Sequence, residues 1–371
     1  MRTTTPVWER SLLVVGSGLI GTSLGLAASA AGADVRLTDA DTRRLELAVA
    51  QGAGQPTTLD EAVGEPVDLV VVATPPAAIG SLAATAIALG LGRTISHVGS
   101  VQLQPQLYLE TKGVAVDRYV GSHPIAGREL SGPWHADGGL FQDRPWVICP
   151  TPTTEPGATD EVIALARACG AKPVALDADA HDRLFARLSH VPQLVASALA
   201  ASLTGLTADG VALAGAGIRD TTRLADSDSG LWAEIAAANP LPVAAGLRAV
   251  AEPLLELVAA LESGADAHDA VRRLVDRGRD GRALLPGKHG GAPAVLAEVQ
   301  VLVPDQPGAL ADLLVAVARQ KVNLEDLRVD HSPERRLGIA ELVVAASARD
   351  QLVSALRANG WTASAGASTA L

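Results

Sequence analysis

Ser11-Leu12-Leu13-Val14-Val15-Gly16-Ser17-Gly18-Leu19-Ile20-Gly21 is the stretch that decides the fold. A short aliphatic run enters a G-x-G-x-x-G turn, and an apolar helical pattern leaves it. In such a turn the first glycine permits the tight bend and the second lets a pyrophosphate close on backbone N–H groups. The third lets the helix lie against the strand. Gly16, Gly18, Leu19, Ile20 and Gly21 are therefore expected to cradle a dinucleotide. The motif is weak by itself and gains weight from its place between strand and helix. Asp39 follows the next expected strand, Val35–Thr38. An acid there accepts hydrogen bonds from ribose hydroxyls and repels a 2′-phosphate, which points to NAD. Arg43 and Arg44 stand close by and keep NADP open as the alternative.

Working outward, Leu69–Ala73 and Thr94–Val98 read as further strands, with Trp146–Cys149 and Val174–Leu176 as later candidates. Alternation of short apolar runs with helical patterns predicts an α/β Rossmann-type doubly wound sheet over residues 1–176, built from parallel βαβ units. Ala73-Thr74-Pro75-Pro76 lies at a strand end, and Thr74 and Pro75 are expected to border the nicotinamide ribose. From 177 to 280 strand signals vanish and apolar residues recur at helical spacing, with breaks near Gly215–Gly217 and Asn239-Pro240. This predicts an all-helical dimerisation domain over 177–280, because so apolar a block often buries its stripe against a second subunit. Residues 281–293 read as a Gly/Pro-rich linker. Residues 294–371 follow a βαββαβ order: strands at Val295–Val303, Leu324–Val329 and Gly338–Ala345, helices at Ala309–Gln320 and Ala348–Asn359, and a final short strand.

The net charge of −11 across 371 residues speaks against nucleic-acid binding. Two cysteines, Cys149 and Cys169, are too few for a disulfide framework and fit a reducing, cytoplasmic setting with no metal centre. The uncharged stretch Ser11–Ala33, with Arg2 and Arg10 before it, has the outline of a signal peptide or membrane helix. Gly16, Gly18, Gly21 and Gly25 weaken a spanning helix and serve a nucleotide turn better.

The most informative segment is Gly121-Ser122-His123-Pro124-Ile125-Ala126-Gly127-Arg128-Glu129-Leu130-Ser131-Gly132. A residue before proline is pushed into extended backbone, and flanking glycines suggest that His123 is presented from a loop. This segment closely resembles the H-P-x-x-G-x-E-x-S-G motif of the prephenate/arogenate dehydrogenase family. So do the nucleotide turn, Val98-Gly99-Ser100-Val101 and Arg219-Asp220-Thr221-Thr222-Arg223. The resemblance covers about residues 10–280. It implies NAD-dependent oxidative decarboxylation of prephenate on the way to tyrosine, with arogenate as the alternative substrate. It also implies that His123 takes the proton of the ring hydroxyl, a task suited to a neutral histidine, whose unperturbed pKa is about 6.5. Ser100 is implied to bond the hydroxyl region and orient the histidine, and Glu129 to join the polar network. Arg223 is implied to hold a substrate carboxylate by its guanidinium fork.

Asp220, three residues earlier, shares a helical face with Arg223 and can pair with it, although such pairs are also ordinary on helix surfaces. His181 and His190 stand in segments similar to the family's H-D and S-H-x-P motifs, which implies a substrate contact for His181, with a structural role equally open for both. Trp232 matches a family tryptophan near the neighbouring subunit's site, and serves dimer packing equally well. Arg219 reads as solvated more readily than as a second anion contact. His97, Gln102 and Arg128 depart from the family's usual residues and leave the pocket's charge and substrate choice open.

Val303-Pro304-Asp305-Gln306-Pro307-Gly308-Ala309-Leu310 and Val322-Asn323-Leu324-Glu325-Asp326-Leu327 resemble the ligand turns of an ACT domain. The resemblance implies an aromatic amino-acid effector contacting Asp305, Gly308 and Asn323 between paired domains. A purely structural dimerisation module is the alternative. Two other functions compete. A β-hydroxyacid dehydrogenase shares the layout but needs a lysine in the helical domain, and none lies between Asp177 and Asp280. A non-catalytic dinucleotide sensor gives no reason for His123 and Arg223.

Overall fold

The computed structural model describes residues 7–127, 132–264, 266–285, 295–331 and 337–370. The chain divides into two compact units, Met1–Ala251 and Glu252–Leu371. The first contains a sheet of β1 (Ser11–Val15), β2 (Asp34–Thr38), β3 (Gln55–Pro56), β4 (Val67–Val72), β5 (Gly92–His97), β6 (Tyr119–Pro124), β7 (Pro145–Pro150) and β8 (Lys172–Ala175). Their order is β3-β2-β1-β4-β5-β6-β7-β8, so the sheet reverses direction of growth between β1 and β4. In open α/β sheets the ligand crevice lies at that switch, beyond the carboxyl ends of the strands. Leu12, Leu13, Val14, Leu69, Val70 and Val72 are completely buried. Helices cover both faces here, which is why these strands read as unbroken aliphatic runs. Each such side chain contributes about 1.5–3 kcal/mol through burial.

Ser11–Ala33 is thus a five-residue strand, a turn and the 12-residue helix Leu19–Ala30. Among the described residues no helix is long and apolar enough to cross a membrane. The sheet departs from expectation in two ways. It gains β3 and β6, and β6 pairs antiparallel with β7 while every other neighbour pair is parallel. A parallel return needs a crossover of a dozen or more residues, usually a helix. Between Pro124 and Pro145 the described residues hold only the short 3-10 turn Pro133–His135. His123 therefore sits near the end of a strand and not on a free loop, although its extended backbone is as expected.

Beyond β8 the described residues up to Leu285 form helices and turns only, with breaks at Gly215 and Asn239. Ala178–Phe185 runs into a π turn, Ala186–His190, and then into Val191–Ala201 with Pro192 in its first turn. Widened turns of this kind re-aim side chains and recur at functional sites.

In the second unit, β9 (Val295–Pro304), β10 (Asp326–His331), β11 (Leu337–Ala345) and β12 (Ala363–Ala370) form an antiparallel sheet ordered β10-β11-β9-β12. Helices Ala309–Arg319 and Ala346–Ala358 complete the expected βαββαβ order. Its core is aliphatic, with Val299, Val301, Leu313, Leu342 and Leu352 fully buried.

Candidate active site

The candidate residues line the carboxyl edge of the large sheet in strand order. Asp39 follows β2, the glycine turn follows β1, Thr74 and Pro75 follow β4, Gly99 and Ser100 follow β5, and His123 ends β6. Neighbouring strand ends are tied by backbone bonds from Gly16 N to Thr38 O (2.8 Å) and from Ala73 N to Val15 O (2.7 Å).

The turn is shaped by contacts no side chain could satisfy. Gly16 has φ +107°, and a Cβ there would stand 2.5 Å from the Ala73 carbonyl oxygen; one on Gly21 would stand 1.9 Å from the Gly16 carbonyl oxygen. At Gly18, by contrast, a Cβ would meet nothing within 4 Å. Gly18 caps the helix Leu19–Ala30, whose first turn carries no acidic residue. An anion thus finds open space at a positive helix end. Asp39 Oδ2 accepts from Ser17 N (2.6 Å) and Ser17 Oγ (2.8 Å), and Oδ1 accepts from Asp41 N (2.8 Å). These bonds fix the carboxylate beside the turn and leave it acceptor capacity for hydroxyls. Thr74 Oγ1 is buried without a hydrogen-bond partner, as expected of a group awaiting a ligand. These residues fit a dinucleotide.

His123 Nδ1 lies 2.9 Å from His181 Nε2, and His181 Nδ1 lies 2.8 Å from Asp182 Oδ1. Asp182 also accepts from Gln102 N (2.9 Å, Oδ1) and Leu103 N (2.9 Å, Oδ2), the N–H groups opening the helix Leu103–Thr111. Phe185 packs against both histidine rings. His123 is half-buried, and burial with the neighbouring histidines holds its pKa well below 6.5. His181 was expected to touch substrate. It is 0 % exposed with both ring nitrogens occupied, so it stands behind His123 instead.

Gln102 ties the neighbouring pieces together: its Nε2 donates to Gly99 O (2.7 Å) and Ser122 O (3.2 Å). His97 is buried beneath Gly99, its Nδ1 accepting from Gly99 N (3.0 Å), and burial pushes its pKa down to about 3. His97 and Gln102, two of the residues that depart from the family's usual pattern, are therefore internal supports of the loop that carries half-buried Ser100. His190 is buried beside Trp232, and Asn239 Nδ2 donates to Asp182 O (2.8 Å) and reaches His190 Nδ1 (3.4 Å). Burial pushes His190 down to about 4.

Arg223 opens a 3-10 turn, exposed, as are Asp220 and Arg219 before it. Gln193 anchors that turn by donating from Nε2 to Leu224 O (2.6 Å). Glu234 Oε2 accepts from Ala77 N (3.2 Å), linking the Trp232 helix to the helix that begins after Thr74 and Pro75. Glu129 and Arg128 lie outside the described residues. Sequence reasoning did not single out Asp182, Gln193, Glu234 or Asn239 as site residues. Only Asp182 left a signal, as the acidic half of the H-D pair.

In the C-terminal unit, Gly308 has φ +90° at the start of the helix Ala309–Arg319, and Asp305 and Asn323 are exposed. Asn323 Nδ2 donates to Glu325 Oε1 (2.8 Å). Asp305 and Gly308 precede this 11-residue helix and Asn323 follows it.

A Rossmann crevice bordered by a supported histidine defines a dehydrogenase that uses a dinucleotide. Residues 24–175 match the nucleotide-binding domain of prephenate dehydrogenase, and residues 177–275 match its dimerization domain. The chain belongs to the prephenate dehydrogenase family. It is 34% identical to the probable prephenate dehydrogenase NovF of Streptomyces niveus over 363 residues, 95% of this chain and 99% of that protein. It is 27% identical to the prephenate dehydrogenase of Lactococcus lactis subsp. cremoris, over 85% of this chain and 90% of the relative. The fold matches that of prephenate dehydrogenase from Aquifex aeolicus, solved with hydroxyphenyl propionate and NAD+. The TM-score is 0.66 at 24% identity, covering 74% of this chain and 99% of that one.

Proposed function

We propose that this chain is an NAD-dependent prephenate dehydrogenase of tyrosine biosynthesis, with His123 as its general base. The observation that carries the reading is a neutral histidine at the crevice edge, backed by a buried acceptor chain. NAD, when bound, supplies the hydride acceptor. Gly16, Gly18, Leu19, Ile20 and Gly21 hold its pyrophosphate, Asp39 its ribose, and Thr74 and Pro75 the nicotinamide side. His123 Nε2 accepts the proton of the ring C4 hydroxyl, and Ser100 orients that hydroxyl. Loss of the ring carboxylate as CO2 then aromatises the ring. Arg223 binds a substrate carboxylate, with Asp220, Glu129 and Trp232 completing the pocket.

Three modules carry this out: 1–176 for the cofactor, 177–280 for substrate and dimerisation, and 294–371 as an ACT-like regulatory module after the linker 281–293. The protein works as a homodimer in the cytoplasm. Exposed Leu213, Leu241, Leu255 and Leu261 in the helical region support a subunit interface. The exposed Asp305, Gly308 and Asn323 support an aromatic amino acid bound between two copies. The test is reduction of NAD or NADP by purified protein, with prephenate and arogenate supplied separately, each with and without tyrosine. Turnover of prephenate with NAD is expected. Turnover of arogenate alone would move the assignment to arogenate dehydrogenase, and cofactor binding without any turnover would favour a sensor.

A further inference from the structure

We propose that Asp182 and His181 are positioning residues that set the tautomer of His123 and thereby make its Nε2 the basic atom. The inference rests on the reading of His123 as the general base.

Bond direction fixes the argument. Asp182 has two backbone N–H donors on its carboxylate, Gln102 N and Leu103 N, at the positive end of a helix. The same Oδ1 lies 2.8 Å from His181 Nδ1, and both residues are almost completely buried. A carboxylate in that setting is an acceptor only, so His181 Nδ1 carries the hydrogen. With one hydrogen on that ring, at Nδ1, His181 keeps a lone pair at Nε2. The His123 nitrogen 2.9 Å away must donate to it, so His123 carries its hydrogen on Nδ1. Its Nε2 keeps the lone pair.

The chain also accommodates the proton that arrives. When His123 Nε2 accepts a hydroxyl proton, the ring becomes an imidazolium that donates more strongly to His181. His181 in turn donates more strongly to Asp182. No proton need leave His123, since the hydrogen bonds alone spread its charge towards the carboxylate. Phe185, stacked on His181 and tilted against His123, keeps both rings from turning. Asn239 holds the Asp182 carbonyl and so keeps the acid at its post.

Asp182→Asn tests this directly. The amide has one acceptor oxygen where the carboxylate had two, so it cannot hold Gln102 N, Leu103 N and His181 Nδ1 together, and the hydrogen on His123 Nδ1 is no longer fixed. A kcat lower by about 10²- to 10⁴-fold is expected, the range for losing a correctly protonated base, with KM for prephenate changed less than about threefold. His181→Gln presents a carbonyl oxygen to His123 Nδ1–H and should keep more activity than His181→Leu. In wild-type protein saturated with NAD, the nitrogen resonances of ¹⁵N-labelled histidine should report hydrogen on Nδ1 of His123, assigned by its loss in His123→Asn. Hydrogen on Nε2 in the wild type would overturn the proposal, as would a kcat for Asp182→Asn within about twofold of wild type. If Asp182→Asn does not fold, the wild-type spectrum decides alone. A wild type inert towards prephenate would sink the functional assignment, while the spectrum would still judge the tautomer.

Discussion

The two sheets handle polar groups in opposite ways. The eight-stranded sheet buries His97, Gln102, Ser122, His181 and Asp182 behind its carboxyl edge, whereas the described core of the four-stranded sheet is made of aliphatic side chains. Each sheet also has a strand–glycine–helix turn. A Cβ on Gly16 would collide with Ala73, while one on Gly308 would meet nothing within 4 Å. Burying polar groups costs stability unless every one is bonded, so they gather where chemistry requires a dry, fixed arrangement. The small sheet has no such demand, and its glycine turn is open.

Gly21→Val presses hardest on this contrast. Its side chain would enter the Gly16 carbonyl, so NAD binding should be abolished and the first unit strongly destabilised, as followed by cofactor titration and thermal unfolding. A variant that still bound NAD normally would show the turn to be less crowded than described. Next comes His123→Asn, expected to lower kcat by about 10²- to 10⁴-fold while leaving the unfolding midpoint near wild type, because the base is half-buried at an edge. Arg223→Ala removes charged hydrogen bonds worth about 1.5–3 kcal/mol, so KM for prephenate should rise by roughly 10- to 150-fold with a smaller change in kcat.

Acid should separate the two units. Folding holds His97, His123 and His190 neutral, whereas in the unfolded chain they titrate near 6.5. Their pKa values are lowered on folding, so stability is complete above about 6.5. It falls as pH drops below that value, because the unfolded chain takes up protons the folded one refuses. The loss continues towards about 4 for His190 and about 3 for His97. Amide exchange at pH 7 and pH 5 should show greater loss of protection in β5 and β6 than in β9 and β11. Equal losses would mean that these histidines do not govern acid stability. The smallest effect belongs to Gly308→Ala, which costs about 1–2 kcal/mol of left-handed backbone strain in the second unit. It should blunt any response of turnover to tyrosine. An unaltered response would remove Gly308 from the effector contacts.

The parts readable from sequence are those set by neighbours along the chain. The glycine turn, Asp39 and the aliphatic strands follow from spacing and composition, and each lies where it was expected. The His123 segment was readable through a family resemblance, but β6 itself was not. Gly121, Ser122 and Pro124 are poor strand formers, and only pairing with β5 and β7 on either side makes them one. The chain behind His123 was hidden for a related reason: His181 lies 58 residues away, and Gln102 meets Asp182 across 80. Nothing local tells a buried histidine that supports another ring from one that faces substrate.

Five residues of β6 are paired with β7, from Val120 against Pro150 to Pro124 against Trp146. His123 is therefore indexed to the sheet by counting residues along a ladder. One residue inserted between Tyr119 and His123 would turn the ring to the opposite face, where His181 cannot meet it. Residues added between 125 and 144 would lengthen the connection to β7 and leave the index untouched. Across descendants of this fold, the spacing from Tyr119 to His123 should then be the inherited constant, while the length of the connection drifts. An active relative with one residue more in that spacing would contradict this.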